Sequence, residues 1–190
     1  MNRRQVIYRI LGISVIAVSG AGFWKYWTIY KKPDLSYLMS KKSLIAEIAE
    51  TIIPATDTPG AKMAKVEDFI IKMVKDCTAT KSQNNFIKGL VDLEAYTEQN
   101  YSKTYILCNV KEREAVLTHF ESLEESHYLI RKLKQKILGD NFFYMFKSYT
   151  VTGYCTSELG ATKALSYDYL PSTFEACITI GDKQKSWATK

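Results

Sequence analysis

The sequence predicts an all-α protein: a single helical bundle domain of about five to six helices, preceded by an N-terminal signal or anchor helix and followed by an irregular extended tail. Three observations predict that class. Apolar residues recur at helical spacing from Leu44 to the region of Thr152. Helix start and stop signals fall where those stripes begin and end. No stretch alternates apolar and polar residues with the regularity of a half-buried strand.

The leader comes first. Arg3 and Arg4 precede Val6 and Ile7, Arg9 follows, and Ile10 to Phe23 carries no charge. A positive start with a short apolar core is the pattern of a bacterial export signal, and adjacent arginines mark its twin-arginine variety. The fourteen uncharged residues, at about 1.5 Å each, span roughly 21 Å of helix, short of the ~30 Å hydrocarbon core. Val6 to Trp27 is long enough only by admitting Arg9 and Lys25, with Trp24, Tyr26 and Trp27 as an interfacial aromatic belt. Ser19-Gly20-Ala21 is a small-residue cleavage site, so a cleaved and an anchored form both stay open. A plain secretory signal or anchor with an accidental arginine pair is the other reading. Residues 1–27 are thus assigned to the leader, 28–39 to a tether and 40–190 to the helical domain.

In the body, Leu44, Ile45, Ile48, Ala49, Ile52 and Ile53 make one stripe, with Ser40 as its expected N-cap and Pro54 as its stop. Val66, Phe69, Ile70, Met73, Val74 and Cys77 give a second stripe of near-ideal spacing. Ser82 is the expected cap of a third helix bearing Phe86, Leu90, Leu93 and Tyr96. Asn109 with Glu112 has the spacing of a capping box for a fourth, bearing Val116, Leu117, Phe120 and Leu123. A fifth is expected from about Ser126 to Leu138. After Gly139-Asp140-Asn141 an aromatic-rich sixth runs from about Phe142 to Thr152. Past Tyr167 the helical stripe ends, and an extended segment is expected to pack along the bundle or reach a neighbour.

Charge argues against a nucleic-acid-binding body. The formal +6 includes Arg3, Arg4, Arg9 and Lys25, and the rest of the chain holds 22 basic against 20 acidic side chains. A nucleic-acid footprint needs a basic surface on the folded domain. The densest basic run, Arg131 to Lys136, alternates with apolar residues and reads as a solvated helix face.

Chemistry is harder to find. Cys77, Cys108, Cys155 and Cys177 form no CxxC pair, which removes zinc-knuckle, iron–sulfur and covalent-haem motifs. Four cysteines in an exported protein permit three pairings or four free thiols, a Cys77–Cys177 bridge from tail to bundle being the preferred alternative. His119 and His127 are eight apart, not the i, i+4 pair of a helical zinc site, and the Glu124-x-x-His127 step of a di-iron bundle occurs once where two are needed. Phosphate-binding glycine loops and a nucleophile elbow are absent from the sequence. Glu47 with Glu50 reads as an ordinary polar helix face.

Two stretches stand apart. In "ETIIPATDTPGAK" (Glu50 to Lys62), Thr58-Pro59-Gly60-Ala61 has the composition of a type II turn, and Asp57 can accept from loop amides. In "TVTGYCTSELGATKAL" (Thr150 to Leu165), hydroxylated residues crowd around Gly153 and Gly160, permitting close backbone approach within the fold or onto a partner.

Together, in this order and about 90 residues apart, these stretches resemble the signatures of the gluconate 2-dehydrogenase subunit 3 family, and "YDYLPSTFEAC" extends the likeness. The family pattern usually has an aromatic where Cys155 stands, so that cysteine reads as packing. Cys77 and Cys177 match positions where members often carry cysteine, and the resemblance thereby implies the bridge between them. It further implies a non-catalytic small subunit partnering a large flavoprotein dehydrogenase that carries FAD, often with a cytochrome c subunit carrying haem c. In such complexes the small subunit supplies the twin-arginine leader, which places this chain in the periplasm at the inner membrane. No catalytic, cofactor or metal residue is expected in the chain itself. The partner contacts expected are Pro54, Asp57, Thr58, Pro59 and Gly60 in the first stretch, and Gly153, Tyr154, Thr156, Ser157, Glu158 and Gly160 in the second. The competing readings are a membrane-anchored structural protein, and a stand-alone enzyme using Asp57, Glu158 and His127.

Overall fold

The apolar stripe from Leu44 onward becomes the centre of the core. The computed structural model describes residues 30–123, 132, 135–136, 139–170, 177, 179, 181 and 184–188. In it, helix α1 (Ser36–Ser40) leads into α2 (Lys42–Ile52), and α3 (Val66–Lys72) runs on as a π-helical turn, Met73–Cys77. The long α4 (Thr80–Tyr101) is followed by a 3₁₀ turn, Tyr105–Leu107, and by α5 (Val110–Ser122). Helix α6 (Phe142–Thr156) and a second π-helical turn, Gly160–Ala164, complete the bundle. Among the described residues there is no strand, and an isolated parallel bridge joins Ser166 to Trp187. The fold is all-α, as predicted.

Helix α6 lies at the middle, packed on α3 and α4, while α2 covers α3 and α6, and α5 leans on α2, α4 and α6. Leu44, Ile45, Ile48 and Ala49 of α2 meet Val66, Ile70 and Val74 of the second stripe in one apolar cluster. Aromatic rings fill the α4–α6 seam. Phe86 stacks on Phe146 with centroids 5.6 Å apart and meets Phe142 edge-on at 5.4 Å. Phe142 lies against Gly89, where a Cβ would come within 2.5 Å of its ring. Only a residue without a side chain lets α6 approach α4 so closely.

Several boundaries differ from the sequence reading, each for a tertiary reason. Lys41, not Ser40, is the N-cap of α2, because Ser40 ends α1 and donates its hydroxyl to the Tyr37 carbonyl at 2.7 Å. All but the last residue of that short helix lie in the segment read as tether, yet its Leu38 is fully buried. Helix α4 starts after Ala79, and Ser82 is buried inside it. There Ser82 donates to an Asp140 carboxylate oxygen at 2.9 Å and accepts from the Asp140 amide at 3.0 Å. Gly139, at φ +93°, makes the tight turn that brings Asp140 to that site. The Asn109–Glu112 capping box forms as predicted, with both bonds at 2.9 Å. Helix α6 runs to Thr156, so Gly153, Tyr154 and Thr156 are helical rather than loop residues.

A π-helical turn leaves carbonyls without their usual i+4 donors. The buried Gln83 amide on α4 supplies them, donating to Val74 at 2.8 Å and Lys75 at 3.0 Å. All four cysteines are free: Cys108 is buried, Cys155 half-buried, and Cys77 and Cys177 exposed. The bridge expected between Cys77 and Cys177 is therefore not formed. Cys77 closes the π-helical turn at the surface, and further along the chain Ser166 exchanges hydrogen bonds with Ser186 and Ala188 at 2.8 Å. The leader with Arg3 and Arg4, and most of the expected fifth helix including Glu124 and His127, lie outside the described residues. Among the described residues, no helix is long and apolar enough to cross a membrane.

Candidate functional site: the junction of two distant loops

The first loop is tied to the end of the helix that precedes it. Glu50, in the last turns of α2, accepts from the amide of Ala55 through Oε1 at 2.9 Å and from that of Lys62 through Oε2 at 2.8 Å. The Ala61 amide donates to the Ile53 carbonyl at 2.9 Å, which closes the excursion from Pro54 to Gly60. A carboxylate accepting two backbone amides replaces the partners those amides lose outside a helix. Sequence reading assigned that task to Asp57. The structure gives it to Glu50, and Asp57 instead accepts from the Thr56 hydroxyl at 3.0 Å, exposed at the loop tip.

Gly60 is also there for a different reason than expected. A type II turn requires φ above zero at its glycine. Among the described glycines only Gly139 has such a φ. What Gly60 supplies is room, since a Cβ there would come within 2.5 Å of the Glu50 carboxylate and 2.7 Å of the Ala55 nitrogen.

The second loop docks on the first. Tyr154, buried at the end of α6, donates its phenolic hydrogen to the Pro59 carbonyl at 2.5 Å. At the preceding position, Gly153 lets α6 lie against α3, where a Cβ would come 2.6 Å from the Phe69 ring and 3.2 Å from Val66. Past the helix end, the Ser157 hydroxyl donates to the Tyr154 carbonyl at 2.7 Å and accepts from the Gly160 amide at 3.0 Å. The chain turns back so sharply that a Cβ on Gly160 would overlap the Tyr154 carbonyl oxygen and stand 2.8 Å from its carbon. The hydroxyls of Thr156 and Thr162 are spent on the carbonyls of Thr152 and Glu158, each at 2.7 Å.

Behind the first loop runs an ion-pair chain that the sequence reading missed. Glu47 pairs with Lys62 through Oε1 and with Arg113 of α5 through Oε2, the latter at 2.7 Å. Burial works to raise the Glu47 pKa, but the two cations outweigh it and hold the carboxyl below its ordinary range. Arg113 also donates from Nη2 to the Ile106 carbonyl at 2.6 Å and lies over the Tyr105 ring at 5.7 Å. Tyr105 is fully buried and donates to the Thr51 hydroxyl at 3.0 Å, and burial pushes its pKa up to about 12. Glu47 and Glu50 thus serve different neighbours. Their i, i+3 spacing was visible, but such a pair also describes any solvated helix face.

The residues singled out by sequence therefore divide. Thr58, Pro59, Gly60, Gly153, Tyr154, Ser157 and Gly160 are buried or half-buried at the junction, while Pro54, Asp57, Thr156 and Glu158 remain exposed around it. His119 stacks on Tyr96 with centroids 4.1 Å apart, a packing role. Among the described residues, no group of three or more His, Cys, Asp or Glu is placed to hold a metal. The geometry is that of a clasp holding two loops in one arrangement.

No solved structure matches the chain. A likeness of 26% identity over 132 residues exists to the alanine–tRNA ligase of Elusimicrobium minutum (strain Pei191). It covers 67% of this chain and 15% of that enzyme, too small a part to carry its activity across. The family described as gluconate 2-dehydrogenase subunit 3 matches from residue 40 to residue 171, so both clasped loops and all the helices between them fall within the match. The chain belongs to the gluconate 2-dehydrogenase subunit 3 family.

Proposed function

We propose that this chain is the non-catalytic small subunit of a periplasmic, flavin-dependent dehydrogenase complex. In this reading it escorts the flavoprotein through twin-arginine export and stabilises it at the inner membrane. FAD belongs to the large subunit, and haem c to a cytochrome subunit where one is present. The family match over residues 40–171 is the observation that carries the reading. Two features support it. The sequence opens with adjacent Arg3 and Arg4 before an apolar run, the address of a route that moves folded cargo. The residues of the family motifs are used to fix one loop arrangement, as a binding scaffold requires and as Tyr154 and Pro59 illustrate.

The test is purification of the tagged full chain from membranes, with absorbance spectra of whatever accompanies it. Co-purification of a larger yellow protein that oxidises a sugar or alcohol is expected. Replacing Arg3 and Arg4 together by lysine is expected to leave both proteins in the cytoplasm. A lone chain that turns over a sugar, or that holds a coloured group by itself, overturns the reading.

A further inference from the structure

Asp57, Tyr154, Thr156, Ser157 and Thr162 spend their polar side chains within the two motifs, which leaves the question of where another polypeptide is gripped. Three aliphatic side chains stand exposed in close succession at the 3₁₀ turn and the start of α5: Ile106 at 42%, Leu107 at 71% and Val110 at 67%. The turn presenting them is fixed from behind by buried Tyr105, by the Arg113 bond to the Ile106 carbonyl and by the Asn109–Glu112 capping box. Aliphatic groups held rigidly in water are already ordered for contact, so covering them costs little further entropy.

The same edge of α5 continues into a cleft. Val110, Glu114 and Thr118 follow at i, i+4 and i+8, and beside them opens a hollow of about 210 Å³ between α5, α6 and the end of α2. Its apolar surface comes from Ile52, Leu117 and Phe143, and its charged groups are Glu114, Glu121 and Lys147. Lys147 is paired with Glu121 at 2.7 Å, and the Glu114 carboxylate has no partner among the described residues. The hollow thus carries one negative charge in excess above an apolar surface. Val110 stands one helical turn before Glu114 on α5, so the exposed turn adjoins the hollow.

That combination selects an occupant. A long cationic side chain lays its methylenes on apolar surface while its head reaches a carboxylate. Anionic lipid is disfavoured by the same excess charge. We propose that the surface from Ile106 to Glu121 is where the partner subunit docks, with an arginine or lysine of that subunit entering the hollow against Glu114 and apolar partner residues covering Leu107 and Val110. The inference rests on the accessory-subunit reading, which supplies the partner.

The experiment uses the complex purified with the full chain. A photo-crosslinking residue in place of the exposed Thr118 is expected to join the flavoprotein subunit, at a peptide containing arginine or lysine. Glu114→Arg is expected to weaken association at least about tenfold, and Glu114→Gln less, with the melting of the isolated chain unchanged. Leu107→Asp is expected to weaken association as well. An intact complex with Glu114→Arg, or a crosslink only to a second copy of this chain, overturns the docking surface and leaves the accessory reading standing. If the unaltered chain brings down no flavoprotein at all, the accessory reading falls and the docking surface with it.

Discussion

The hydroxyl of Tyr154 reaches the carbonyl of Pro59 at 2.5 Å across 95 positions of sequence. This bond joins the end of α6 to the loop after α2. The first loop has no regular structure from Ile53 to Gly60, so its geometry depends on such contacts with its neighbours.

Tyr154→Phe removes the donor and leaves the Pro59 carbonyl partly buried and unpaired. The expected loss is about 1–2 kcal/mol of stability with helix content retained, measured by urea unfolding followed by circular dichroism. A midpoint unchanged from the parent chain would show that the bond contributes nothing.

Gly160→Ala places a methyl group on a backbone carbonyl rather than on a movable side-chain end. The loop has to open, at an expected cost of about 1–3 kcal/mol. Gly181→Ala is the control, because a Cβ there meets nothing within 4 Å. Equal melting temperatures for the two variants would contradict the close approach.

Glu47 contributes in a pH-dependent way. Its folded-state pKa lies below the ordinary value of 4.5, so as pH falls the unfolded chain takes up that proton first. The contribution is complete above about pH 4.5 and is lost as pH drops through the folded-state value. Glu47→Gln is expected to lower stability at pH 7 by about 1–2 kcal/mol and to flatten the decline on acidification. Parallel pH–stability curves for parent and variant would rule out this role.

The capping box is a local test. Asn109→Ala removes an acceptor from the Glu112 amide and is expected to cost about 1 kcal/mol. Because the box also steadies the turn bearing Leu107 and Val110, the variant is expected to weaken partner association too, read by retention of the flavoprotein on the tagged chain. Unfolding with no loss of stability would mean that water replaces the cap at no cost.

How far the sequence carried these conclusions varied with the range of the interaction. The Asn109–Glu112 box was legible because both bonds close within three residues. The end of α6 was placed four residues early, since Gly153 looks like a helix breaker until Phe69 is seen filling the space beside it. Ser82 looked like a cap because serine favours that position, but Asp140, 58 residues away, claims its hydroxyl. Gly60 was correctly marked as special for the wrong reason, room rather than φ.

By itself the sequence determined the helical class, the stripes that become the core and the family, because periodicity and short motifs are properties of neighbouring residues. Only the tertiary structure decided that Glu50 rather than Asp57 secures the first loop, that Glu47 joins Lys62 to Arg113, and that Tyr154 closes on Pro59. The physical reason is that a helical stripe states which face turns inward and says nothing about which atom it will meet there. Those meetings, between groups 12 to 95 residues apart, are fixed when the helices pack.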